Sequence, residues 1–373
     1  MNTAEILDNI ETAIAQESPY QVVPMQGDRW IFSSAMQKAI RRGDEVRAVR
    51  AAVALWEQDR QNFWRRLHVI ALEDIGVASL DVVVKVLTAT ASSTWRRRHG
   101  DREVGLHLVR VLCRSVKTRV ADELLIQVER AGCHTALREQ FSKADDTTLT
   151  ACAVDERRAL VERALALWFL FGMKRFPSDL MPGRNGSPEV AVKVLRSLNA
   201  PAELTEACIG VMKKSPWPLS VFTPLVWQTL QKQKTSIRHN AIPAVPDVDG
   251  IPVYAADLYT RTGQACFRQL RHAVLEFKRF SVRQIGVGVF HECGGRLDRE
   301  ITSPLPDALR QHGEAAEAES VGLIPAEHQR LRESIVQHME LLNSIRQDEL
   351  RRYVNAIQGK PTITLSGDNG GIA

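Results

Sequence analysis

The sequence predicts a mainly all-α protein, an irregular array of many helices with a proline-rich loop region and at most one short hairpin. Three observations predict it. Apolar residues recur at three- and four-residue steps, as in Ala35, Ile40, Val46, Val49, Val53 and Leu55, then Phe63, Leu67, Ile70 and Ala71. That is the period of amphipathic helices packed on one another. Helix breakers and starters fall between these runs, as at Gly43-Asp44, Gly76 and Asn199-Ala200-Pro201, where residue types suited to caps and first turns belong. Only residues 286–306, a glycine-rich turn, read as a strand pair.

Taken in order, Thr3 to Ala15 is a polar amphipathic helix, followed by a connection through Pro24 and Gly27. Residues 34–141 form a run of helices, with Asp44 as an N-cap after Gly43 and Gly76 closing the third helix. SSTWRRRHGD at 92–101 interrupts that run. A strong helix leads from Asp155 into Leu160–Phe171, and the breaker-rich 177–188 is a loop. Helices follow at 188–199 and 201–214. Residues 215–252 carry prolines at 216, 218, 224, 243, 246 and 252 around one helix, Thr223 to Gln233. A long helical segment then runs from Tyr254 to Phe280, and a final helix from Ala326 to Ile357. The expected organisation is an N-terminal helix and linker (1–33), a helical domain (34–141), a second helical domain with pocket-forming loops (145–357) and a disordered tail (358–373, above all 360–373).

A chain of 373 residues with 44% hydrophobic and 25% charged residues is long enough for two domains or one large array. Net charge is +5, but unevenly spread. From Arg41 to Arg119, sixteen Lys/Arg face nine Asp/Glu, while from Glu300 to Ser320 five acids face one Arg. The basic block favours an anionic partner such as nucleic acid, or is a solvated helix face. The six cysteines lack C-x-x-C spacing, which fits small core residues in a reducing cytosol. No apolar run approaches the ~20 residues that span a bilayer. The expectation is a cytoplasmic protein without a membrane partner.

The 34–119 stretch carries a resemblance. Ala35-Met36-Gln37-Lys38-Ala39-Ile40-Arg41 with Gly43-Asp44, Arg65-Arg66-Leu67, Glu73-Asp74-Ile75-Gly76 and, more faintly, Arg114 to Arg119 resemble the helical C-terminal region of the RarA (MgsA) family of AAA+ ATPases. The resemblance covers about a quarter to a third of the chain on the pattern logic of motif matching. It implies a helical packing and oligomerisation module in a DNA-replication setting. A second copy of the chain or a replication protein is then an expected partner. The family's ATPase is not implied, because no G-x-x-x-x-G-K-[ST] is present. Glu73 and Asp74 therefore read as framework rather than chemistry.

Rossmann, G-x-S-x-G and H-E-x-x-H patterns are also absent, so no cofactor is expected. His291-Glu292-Cys293 lacks a second ligand cluster in sequence, and no metal is assigned there. The most site-like segment is Gly250 to Arg271. On a helix from Tyr254, Asp257, Arg261, Gln264 and Arg268 share one face, with Thr260 beside it and Tyr259 off to the side. The bland reading is a surface ion pair. The functional reading is a buried Asp257 oriented by Arg261, able to direct water or steady a developing cation, with Gln264 and Tyr259 as base or pocket contacts.

For nucleic acid, Trp95, Arg96, Arg97 and Arg98 form the best patch, with Lys117, Arg119, Lys174, Arg175, Lys213, Lys214, Trp217, Arg268, Lys278 and Arg279 as extensions. Cations neutralise phosphates and an indole stacks on a base; alternatively both indoles are core edges. The resulting expectation is a DNA-binding, metal-independent DNA N-glycosylase acting on a flipped normal or modified base of duplex DNA, in repair or defence against foreign DNA. The alternative is a non-catalytic RarA-like adaptor.

Overall fold

The computed structural model describes residues 2–17 and 22–359. The expected disordered stretch 360–373 lies outside the described residues. Helices dominate, as the periodicity predicts, with two short two-stranded sheets among the described residues.

The Arg29–Arg41 helix is the one the others surround. Asp28 caps it, its carboxylate accepting from the amides of Trp30 (2.9 Å) and Ile31 (3.0 Å). All residues from Ile31 to Arg41 are buried, as in a helix enclosed on every side. Gly43, at φ +67°, turns the chain, and Asp44 accepts from the Arg47 amide (3.1 Å) to start Glu45–Gln58. The Arg60–Ile70 helix widens into a single π turn, Ala71–Ile75, and ends at Gly76 with φ +48°. Leu80–Ala91, Asp101–Arg114 and Val120–Arg130 complete this half around Phe63, Leu67 and Leu108. The expected interruption at 92–101 contains a short helix, Ser93–Arg98.

The later half departs from expectation in four places. The helix expected over 223–233 runs from Leu219 to Leu230, with Pro224 in its second turn. The segment from Tyr254 to Phe280 is not continuous: a 3-10 turn (Val253–Ala255) precedes the Arg261–Ala273 helix, and another 3-10 turn (Leu275–Arg279) follows it. Polar side chains at 257 and 260 bond neighbouring amides and end the first turn, as such residues do near helix starts. Residues 286–306 are no hairpin either. Val282–Val289 is helical, and the strand Arg299–Thr302 pairs antiparallel with Ser236–His239, more than sixty residues back. Its other edge takes Lys117, through Lys117 N to Arg299 O (2.9 Å) and Ile301 N to Lys117 O (3.1 Å). The true hairpin pairs Asp247–Val248 with Ile251–Pro252 across Asp249-Gly250, both at positive φ, as a D-G turn requires. Lastly, Pro304–Ser320 is an additional helix, and 326–357 is two, Pro325–Gln337 and Met339–Ile357.

Contacts run freely between the early and late segments. The 29–41 helix packs on the turn at 253–255, and the 304–320 helix lies along 120–130. Among the described residues no helix is long and apolar enough to cross a membrane. Cys113, Cys152, Cys208 and Cys266 are buried free thiols, as expected of small core residues, whereas Cys133 is exposed.

His68 offers a test of this packing. Its Nδ1–H donates to Trp64 O (3.0 Å), and its Nε2 is buried without a partner. Burial, helped by Arg66 and Arg65, lowers its pKa from 6.5 to about 4. A base with a depressed folded pKa contributes stability above pH 6.5, and that contribution is lost as pH falls towards 4. The wild type should therefore lose stability relative to His68→Leu across that window, measured by urea denaturation at each pH.

Candidate functional site

Four polar residues on the buried 29–41 helix, Ser34, Gln37, Lys38 and Arg41, occupy one face at i, i+3, i+4 and i+7. All line a cavity of about 560 Å³ between the two halves of the chain. The volume suits a small organic ligand.

At one wall stands Asp257. Its Oδ2 accepts from Ser34 Oγ (2.8 Å) and from Lys38 Nζ, and its Oδ1 accepts from the Tyr259 amide (2.9 Å). Lys38 also donates to Ser34 Oγ (2.7 Å). The local backbone is tied in turn: Asp257 N and Gly263 N both donate to Thr260 Oγ1 (3.1 and 3.0 Å), making Thr260 the N-cap of Arg261–Ala273. Gly263 permits this fold-back, since a Cβ there would sit 1.9 Å from the Asp257 carbonyl oxygen. Burial pushes the Asp257 carboxyl up, but Lys38, Ser34 and the Tyr259 amide outweigh it, and the net shift is downward. Asp257 is ionised and fixed. Burial lowers the Lys38 amine, and the nearby cations Arg41 and Arg346 add to that against the single carboxylate of Asp257.

Behind the adjoining wall, Asp74 is fully buried and accepts from Gln37 Nε2 (2.9 Å), Arg41 Nε (2.7 Å) and Arg119 Nη1 (2.9 Å). Glu73 Oε1 accepts from Arg41 Nη2 (2.8 Å) and Arg119 Nη1 (3.1 Å). Arg41 also donates to Gly294 O (2.9 Å), and Arg119 to Asp122. Against burial, the charges of Arg41, Arg119 and Arg66 hold Glu73 at about 2, whereas burial, with Glu73 and Asp74 adding to it, pushes Asp122 up to about 7. One region thus shifts its carboxyls in opposite directions.

The expected site residues separate. Asp257 is buried as the functional reading requires, but Arg261 is not its orienter, because the helix begins at 261 and Arg261 is exposed. Lys38, 219 residues away, takes that place. Gln264 donates to Leu258 O (3.1 Å) and, like Arg268, is exposed; these two share a solvent-facing side of the helix with Arg261, and Asp257, before the helix starts, lies apart from it. Tyr259 lines the cavity and is 72% exposed. Exposed Trp30 and Trp217 join it at the rim. Ser34 and Lys38 were not among the sequence candidates. Their i, i+4 spacing on a helix with an apolar opposite face reads equally well as a solvated stripe.

The expected basic track also divides. Arg97, Arg98, Lys174 and Lys213 are exposed. Arg96 is buried over the Trp64 ring (3.6 Å) and pairs with Asp101 (3.0 Å); Trp95 stacks on His99. Lys117 is fully buried on Asp298 (2.7 Å), and Arg119 sits in the acidic cluster. Arg175 donates to Met212 O, and Lys214 to Ala91 O. Arg96, Lys117 and Arg119 are therefore framework rather than phosphate contacts. Among the described residues no His/Cys/Asp/Glu group is arranged to hold a metal ion; His291 instead bonds His328 and Glu317, both at 2.9 Å. Comparison of the chain with protein-family models, curated proteins and solved structures gives no match.

The Asp74 cluster is open to direct measurement. Removing one member of a buried ionic network strands the others, typically at about 3–5 kcal/mol. Asp74→Ala should lower unfolding stability by that order in chemical denaturation, while exposed Arg97→Ala changes it little.

Proposed function

We propose that the protein binds DNA and cleaves the N-glycosidic bond of a nucleotide turned into the 560 Å³ cavity, with Asp257 as the charged group at the reacting sugar. The observation that carries this reading is the ionised, three-fold hydrogen-bonded carboxylate at the wall of a nucleoside-sized cavity. Breaking the bond to a base builds positive charge on the sugar, which a preorganised carboxylate in a water-poor site stabilises. Lys38 and Ser34 position Asp257. Exposed Trp30, Trp217 and Tyr259 at the rim supply π faces for a displaced base or its neighbour, and exposed Arg97, Arg98 and Lys213 supply charge for the phosphate backbone.

A second reading has its own support. Arg41, Glu73, Asp74 and Arg119, which carry the RarA resemblance, meet in one cluster. That is the behaviour of a helical packing module, which acts by binding a second copy or a replication protein.

The two readings separate in one assay: duplexes with normal and modified bases are incubated with the protein in EDTA and then treated with alkali. Excision predicts strand breaks that fall on the order of 100-fold or more in Asp257→Asn with folding intact. In Lys38→Met the carboxylate loses its cation, so the acid limb of activity moves to higher pH. DNA binding or self-association without abasic sites on any substrate would leave the adaptor.

A further inference from the structure

One buried arginine at the cavity forms no ion pair. Arg346, on the Met339–Ile357 helix, is 2% exposed and lines the cavity. Among the described residues it makes no ion pair and no hydrogen bond; its Nε is enclosed without a partner, and its guanidinium lies 5.9 Å from the Phe267 ring. The other buried cations of the cavity are satisfied. Lys38 has Asp257, Arg41 has Asp74, Glu73 and Gly294 O, and Arg119 has four carboxylates around it. Tyr254 also lines the cavity, and its hydroxyl is buried without a partner. Arg42 stacks on its ring at 4.7 Å.

A guanidinium cannot shed its proton to escape burial, as a lysine or histidine does. An unpaired buried charge is among the costliest groups a fold can hold. A folded chain keeps one where a ligand supplies the missing charge. The planar fork of Arg matches the oxygens of a phosphate.

We propose that Arg346 forms an oxyanion subsite of the cavity that takes a phosphate group of the bound nucleotide. The inference rests on the reading that the cavity accepts a nucleotide, and it adds which part of the nucleotide is held and by what. Its phosphate is either that of a free mononucleotide or one at or beside the displaced unit of a strand, and the two sources share the same recognition chemistry.

The test needs no excision. Thermal unfolding and titration calorimetry are run on the full chain with inorganic phosphate, thymidine 5′-monophosphate, thymidine, and a short single strand with or without a 5′-phosphate. Phosphate and the monophosphate should raise the melting temperature, and thymidine should not match them. Preference for the monophosphate or for the strand identifies the source. In Arg346→Met the affinity for the monophosphate should fall at least about tenfold, a loss in the range of a charge-assisted contact. The same variant without ligand should be at least as stable as the wild type, because the buried charge is gone. A structural arginine would give the opposite result. If Arg346→Met does not fold, Arg346→Gln carries the measurement. No phosphate response in the wild type, or an undiminished one in the folded variant, overturns the subsite. A phosphate response that depends on Arg346, with no abasic sites formed on any duplex, retires excision and leaves the subsite standing.

Discussion

Ser34, Gln37, Lys38 and Arg41 lie along one face of a helix that the chain buries on every side, and the rest of the structure answers to that fact. A buried polar group without a partner costs more than a typical hydrogen bond returns, and a buried charge costs more still. Gln37 and Arg41 draw in Asp74 and Glu73, which fixes the π turn at 71–75 against the 29–41 helix. Arg119 joins from the neighbouring helix. Lys38 draws in Asp257 from the far half of the chain. The helix reads as an apolar stripe with polar decoration, but its polar residues determine what lies next to it.

The readable part of this architecture was the local part. The three- and four-residue period gave the helices of the first half, and Asp44 and Gly76 act at the ends where their chemistry places them. What escaped was long-range pairing. Nothing in the spacing of Arg299–Thr302 points to Ser236–His239, and a period of two over four residues cannot name a partner. Charge was the most misleading signal. A basic residue in a sequence looks like a surface residue, yet Lys117 has no exposure and Arg96 lies flat on an indole. Asp257 was legible as a buried carboxylate facing a cavity because a proline-rich approach marked it. Its partner Lys38 was not legible, since 219 residues separate the pair.

The cavity wall brings together acids shifted in opposite directions, with Glu73 and Asp257 lowered and Asp122 pushed up to about 7. The contrast follows from neighbours. Glu73 faces Arg41 and Arg119, with Arg66 nearby, and Asp257 has a lysine to itself. Asp122 shares Arg119 with three other carboxylates. Environments that push like groups apart are the usual means by which one cavity supports both a charged and a neutral acid at one pH.

Residue 298 closes the first half as a clasp does. Its carboxylate accepts from Lys117 Nζ (2.7 Å), its amide donates to Arg41 O (2.9 Å), and it packs against Gly43, whose φ of +67° favours glycine. Lys117 and Asp298 are 181 residues apart. At a synthesis rate of about 5–20 residues per second, the lysine waits on the order of ten to forty seconds at the ribosome for its partner. During that interval the helices of the first half exist without the group that neutralises one of their most deeply placed charges. The nascent chain therefore cannot close that seam with Asp298 until most of it has been made.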